Sequence, residues 1–136
     1  IGTRLDTSAD APYLDCAYKL QEYAGIARRK RSEGKATWPG RKQVYRNYDD
    51  NGMMSGDTVT VDNAPCAGQP LLQLVMQGGK TVAGQPTLVE AREYARRQLN
   101  SLPMSLRQLS NTPEYPVIIS AELRALAKTV DERNTD

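Results

Sequence analysis

The chain has 136 residues, with 18 Lys and Arg against 16 Asp and Glu, a formal charge of +2, no His and two Cys. That balance is too mild for a domain built to hold a polyanion. No apolar run approaches the ~18 residues of a membrane span, and without His no Ser-His-Asp or Cys-His set can be assembled.

An apolar fraction of 39% with no Phe, one Trp and seven Tyr supports one modest domain with a thin core. Cys16 and Cys66 lack the density of a disulfide scaffold, so reduced thiols in a cytoplasmic protein are the expectation. Two distant cysteines without His also leave no ordinary zinc site.

In chain order, Thr7, Ser8 and Asp10 precede Pro12, which reads as an N-cap with proline in the first turn of a short helix. From Cys16 to Tyr23 a period of two predicts a strand, turned at Ala24-Gly25 into a second strand over Ile26 to Ser32. Pro39-Gly40 marks a turn. Lys42 to Tyr48 and Thr58 to Asp62 then form a hairpin through Asp49 to Gly52. Leu71 to Met76 and Lys80 to Val82 flank Gln77-Gly78-Gly79 as a third hairpin.

Thr87 and Glu90 form a capping box, and Leu88, Ala91, Tyr94, Ala95, Leu99 and Leu102 recur at helical spacing up to Pro103. This spacing places Tyr94 in the core. Leu106 and Leu109 continue as a short helix, Val117 to Ile119 are extended, and Ser120 caps a last helix with Leu123, Leu126, Ala127 and Val130 on one face. From about Asp131 the chain should fray. The fold class is therefore α+β, a β-hairpin-rich partial sandwich or barrel followed by C-terminal helices.

Two motifs fail on context. Gly79-Lys80-Thr81 resembles the end of a phosphate loop, but Leu74 stands where the first Gly is required, and the segment lies in a hairpin. Asn47, Asp49, Asn51 and Gly52 imitate half a calcium loop, yet position twelve is Thr58 instead of Glu.

The stretch Arg28 to Arg46 gathers eight cations around Ser32, Trp38 and the Pro39-Gly40 turn. On charge alone such a run is usually a solvated face. Trp38 beside Pro39 reads as a packing residue.

The order of residues carries more. Gly2-Thr3-Arg4-Leu5, Asp10-Ala11-Pro12, Tyr18-Lys19-Leu20, Arg29 to Glu33, Pro39 to Arg46 and Tyr115-Pro116-Val117 together resemble the C-terminal part of nicotinate phosphoribosyltransferase. The resemblance covers essentially the whole chain. It departs from the family at the front, where the first Gly of the phosphate motif is missing, so the chain looks like the last third of an enzyme.

The resemblance implies a type II phosphoribosyltransferase, an α/β barrel plus a β-rich domain. Residues 1–15 would be the stub of a barrel strand with its phosphate loop and short helix, 16–84 the hairpin-rich part and 85–136 the helical part. The implied reaction joins nicotinate to phosphoribosyl diphosphate in NAD biosynthesis with ATP hydrolysis and Mg²⁺, in a cytoplasmic homodimer that includes the missing N-terminal part. Gly2, Thr3 and Arg4 would bind the ribose 5-phosphate, since backbone amides bring dipoles without bulk. Lys30, Ser32 and Lys35 would meet diphosphate or ATP oxygens, in a neighbouring subunit's site. No catalytic residue or metal ligand falls in this chain, which alone should bind no cofactor and be inactive. The alternative is a free-standing β-rich module holding RNA or another polyanion through Arg28 to Arg46 with Tyr18, Tyr45 and Trp38.

Overall fold

The computed structural model describes residues 19–133. In chain order the elements are β1 (Glu22–Tyr23), β2 (Ile26–Ala27), β3 (Lys42–Tyr48), β4 (Met54–Val61), β5 (Gln69–Pro70), β6 (Met76–Gln77), β7 (Lys80–Thr81), α1 (Leu88–Asn100), a 3-10 turn (Met104–Arg107), β8 (Val117–Ile119) and α2 (Ala121–Glu132). The first predicted helix, the start of the first predicted strand, and Gly2, Thr3 and Arg4 lie outside the described residues.

The α+β class holds. One four-stranded sheet runs in the order β5-β3-β4-β8, and β1-β2 and β6-β7 are separate two-stranded ribbons. The β3-β4 hairpin is its centre, with Lys42 opposite Val61 and Arg46 opposite Asp57. At the turn the Asp49 carboxylate accepts from the Asn51 and Met53 amides at 2.9 and 2.8 Å. Asp49, the third position of the apparent calcium loop, is therefore spent on its own backbone, as short Asx side chains in turns commonly are.

Four predicted strands differ from expectation, and of the first, over Cys16 to Tyr23, only Glu22–Tyr23 pairs among the described residues. β4 begins at Met54, four residues before Thr58, because a register shift at Asn47/Tyr48 lets pairing continue toward the turn. The segment predicted as a strand over Ile26 to Ser32 pairs only at Ile26–Ala27, since Arg29 and Arg31 turn toward an acidic partner on α2 and leave the ladder. Of Leu71 to Met76 only Met76 joins a ribbon. Leu71 and Leu72 instead attach to β3, the first through the Val44 carbonyl, the second through the Gln43 side-chain amide, which bonds both its amide and its carbonyl.

The core is small and lies where α2 meets β4. Leu123 is wholly buried, with Ala127, Val130 and the polar Thr60 on the same contact, while Met54 is buried at the other end of β4, against Leu99 and Leu102. Ser120 accepts from the Leu123 amide at 3.2 Å, and its hydroxyl also bonds the buried Thr60 hydroxyl at 2.9 Å. One cap thus starts the helix and ties it to the sheet.

Helix α1 has the predicted capping box, with Thr87 accepting from the Glu90 amide and Glu90 accepting from the Thr87 amide. Its apolar residues are not core: α1 buries no residue, and Leu88, Val89, Tyr94 and Leu99 are all exposed. Helical spacing shows which residues share a face, and a neighbouring element decides whether that face is covered.

Candidate functional site

The basic stretch is pinned at two points, where the Gln21 carbonyl accepts from the Arg28 amide at 2.8 Å and the Gly40 amide at 2.7 Å. Between them Lys30 and Thr37 clasp each other. The Thr37 amide donates to the Lys30 carbonyl and the Thr37 hydroxyl accepts from the Lys30 amide, both at 3.0 Å. The loop tip turns on the Lys35 amide donating to the Ser32 carbonyl, with Gly34 at a positive φ of 64°.

Lys30, Ser32 and Lys35 therefore share one short, exposed loop. No hydrogen bond or ion pair engages their side chains among the described residues. Two ammonium groups and a hydroxyl on such a loop can donate to phosphoryl oxygens with little reorganisation.

At the base of the loop Trp38 has Arg29 and Arg124 at 5.8 and 5.9 Å from its ring centroid. This is cation–π range. Trp38 thus packs, as its position beside Pro39 suggested, but it does so between two cations. Lys42 donates to the Trp38 carbonyl at 2.9 Å and also to the Gly40 carbonyl. Burial lowers its pKa, opposed by the nearby Glu22 carboxylate. Gly40 has φ +73°, and a Cβ there would lie 2.9 Å from the Leu126 side chain, so the turn presses directly onto α2.

The later cations of the stretch serve the fold. Arg41 pairs with Asp62 at 3.2 Å and Arg46 with Asp57 at 2.7 Å. Tyr115 donates to Asp57 at 2.9 Å, and Gln98 of α1 accepts from Arg46 and Tyr48 at 3.5 and 3.4 Å. Burial, then the hydrogen bond to Asp57, raises the Tyr115 pKa. Because Arg41, Lys42 and Arg46 are engaged internally, the stretch presents no continuous cationic face, and the polyanion-module reading finds no support.

Sequence reasoning missed Arg124 and Asp131, which reach the loop from α2, and it missed the Arg46–Asp57 pairing. The latter was within reach: extending the predicted β4 by one residue would have set the two charges opposite each other. The former depends on how α2 docks, for which the sequence carries no local signal.

The fold places the chain among phosphoribosyltransferases. It superimposes on a chain in the crystal structure of human nicotinic acid phosphoribosyltransferase with a TM-score of 0.70, 25% identity, and coverage of 85% of this chain and 26% of that one. The family profile described as nicotinate phosphoribosyltransferase C-terminal domain matches residues 61–127. Nicotinate phosphoribosyltransferase pncB2 of Mycobacterium tuberculosis is 44% identical over 122 residues, 88% of this chain and 26% of the relative. The mouse nicotinate phosphoribosyltransferase is 31% identical over 98% of this chain and 29% of its own length. The chain belongs to the nicotinate phosphoribosyltransferase family and corresponds to its C-terminal region. It spans about a quarter of the length of the curated relatives it matches.

Proposed function

We propose that this chain is the C-terminal part of an enzyme that forms nicotinate mononucleotide and diphosphate from nicotinate and phosphoribosyl diphosphate, coupled to ATP hydrolysis in NAD biosynthesis. The observation that carries the reading is the 44% identity to the mycobacterial nicotinate phosphoribosyltransferase across 88% of the chain. In that enzyme Gly2, Thr3 and Arg4 hold the ribose 5-phosphate. Lys30, Ser32 and Lys35 donate to diphosphate or ATP oxygens at a neighbouring subunit's site in a cytoplasmic homodimer. The open loop supports this second role, because its donors need not break protein bonds before they meet a ligand.

No group of three or more His, Cys, Asp or Glu comes together among the described residues, and Mg²⁺ bound with a polyphosphate takes most of its ligands from phosphate and water. ATP fits the loop chemically as a polyphosphate. Its hydrolysis would supply energy for the coupled step, while the loop residues would contribute only positive charge and hydrogen bonds.

The 136-residue polypeptide alone is inactive on this reading. Transfer requires the donor, nicotinate and the leaving diphosphate to be held together within a few tenths of an ångström of attack geometry, and the chain has no His that could carry a phosphoryl group in the ATP-coupled step. The test incubates the purified chain with labelled nicotinate, phosphoribosyl diphosphate, ATP and Mg²⁺. Nicotinate mononucleotide above a no-protein control would overturn the inactivity. If the parent enzyme formed none, the assigned reaction would fall.

A further inference from the structure

Between the base of the basic loop and α2 lies an open groove of about 430 Å³, walled by Trp38 and lined by Arg29, Arg31, Arg124 and Lys128 with Asp131 and Glu132. Among the described residues that line it, four cations against two carboxylates leave a local charge of +2. Arg29 and Arg31 line this groove, while Arg28 and Lys30, together with Arg29, line a second hollow beside Tyr23.

The cations are held for their position and only loosely neutralised. Arg29 reaches Asp131 at 3.4 Å and Arg31 reaches it at 3.6 Å, whereas charged N–H···O bonds of full strength run at about 2.7–2.9 Å. Arg46–Asp57, at 2.7 Å, shows that this fold can close such a pair. The Arg29 Nε is buried and has no hydrogen-bond partner among the described residues. Lys128 and Glu132 are 3.9 Å apart and mostly exposed, a pair that solvent largely screens. Trp38 keeps two of the guanidiniums in place without using any N–H donor.

We propose that this groove is a binding site for a phosphomonoester or diphosphate group. A dianionic phosphate, at roughly −1.5 to −2 charge, balances the local +2. Its oxygens suit the planar forks of Arg29, Arg31 and Arg124, which can bond it bidentately. The groove's volume exceeds that of one phosphoryl group and leaves room for the second phosphate or sugar that carries it. This site is distinct from the loop donors Lys30, Ser32 and Lys35, and the two stand or fall separately.

Trp38 is the single Trp of the chain, so its emission reports on the groove. The experiment titrates the chain with inorganic phosphate and with diphosphate at constant ionic strength, using chloride as reference and calorimetry in parallel. A saturable change with phosphate or diphosphate and none with chloride is expected. Lys128→Gln and Arg31→Gln, both at exposed side chains, should each weaken binding roughly tenfold, the scale of one charged hydrogen bond. Asp131→Asn should tighten it by removing the competing carboxylate. Lys30→Gln and Lys35→Gln should leave it unchanged. Equal responses to chloride and phosphate, or unaltered affinity in Lys128→Gln and Arg31→Gln, would overturn the site.

Discussion

Arg46 and Asp57 sit opposite each other on β3 and β4 and share two charged hydrogen bonds, Nε to Oδ1 at 2.9 Å and Nη2 to Oδ2 at 2.7 Å. Their side chains are only 20% and 12% exposed, and Tyr115 and Gln98 complete the set. The pair joins the hairpin to α1 and to the segment leading into β8.

Asp57→Asn should cost about 2 kcal/mol at neutral pH, because a guanidinium is left half-buried without its counter-charge. The Arg46 hydrogen bond is the main cause that lowers the Asp57 pKa below 3.8, with Tyr115 adding to it against burial. A lowered folded-state pKa means that the stabilisation is fully present above the unfolded value and lost as pH falls through the folded one. Denaturant melts at pH 7, 5 and 3 should therefore show no change from this group between 7 and 5. Wild type and Asp57→Asn should begin to converge only below about pH 4, and should meet once the pH has fallen through the lowered folded-state value. Equal stability of the two proteins at pH 7 would refute the role.

Gly40→Ala combines a positive φ with a Cβ 2.9 Å from the Leu126 Cδ2 atom. Gly25 has almost the same φ, +74°, and open space around its Cβ position. Gly25→Ala should thus show the backbone strain alone, about 1 kcal/mol, and Gly40→Ala clearly more. Adding Leu126→Ala to Gly40→Ala should recover part of the excess. If thermal unfolding gave the two glycine variants the same loss, α2 would not press on the turn as described.

Ser120→Ala removes the cap of α2 and leaves the Thr60 hydroxyl, 1% exposed, without its bond. Together these should cost about 2 kcal/mol. Thr60→Val in the same chain should cost less than the sum of the two single changes, since the orphaned hydroxyl goes with it. A double-mutant cycle by chemical denaturation measures this, and strict additivity would count against the shared bond.

If Thr3 holds the ribose 5-phosphate as proposed, Thr3→Ala in the full-length enzyme should weaken phosphoribosyl diphosphate, because one hydrogen bond to a charged phosphate is worth about 1.5 to 3 kcal/mol. Nicotinate should be affected less. Steady-state kinetics that left the KM for phosphoribosyl diphosphate unaltered would remove Thr3 from the phosphate site.

What the chain's own residues determine is local. The Thr87-Glu90 capping box, the Ser120 cap, the Asp49 to Gly52 turn and the Gly78-Gly79 hairpin all appear where the sequence places them, because each depends on bonds within a few residues. The α+β class follows from the same signals. The tertiary structure decides everything that needs a distant partner. Gln69-Pro70 becomes an edge strand on β3, and Val117–Ile119 becomes the fourth strand by parallel pairing with β4, because edge pairing depends on which backbone is nearby. Tyr94 has a core-like helical position yet stays 45% exposed, because periodicity defines a face without supplying its cover. The basic stretch divides in the same way. Its charge is plain in the sequence, but only the docking of α2 brings Arg124 and Asp131 to Trp38 and Arg29 and leaves Lys30, Ser32 and Lys35 outside, since burial and pairing are properties of neighbours in space.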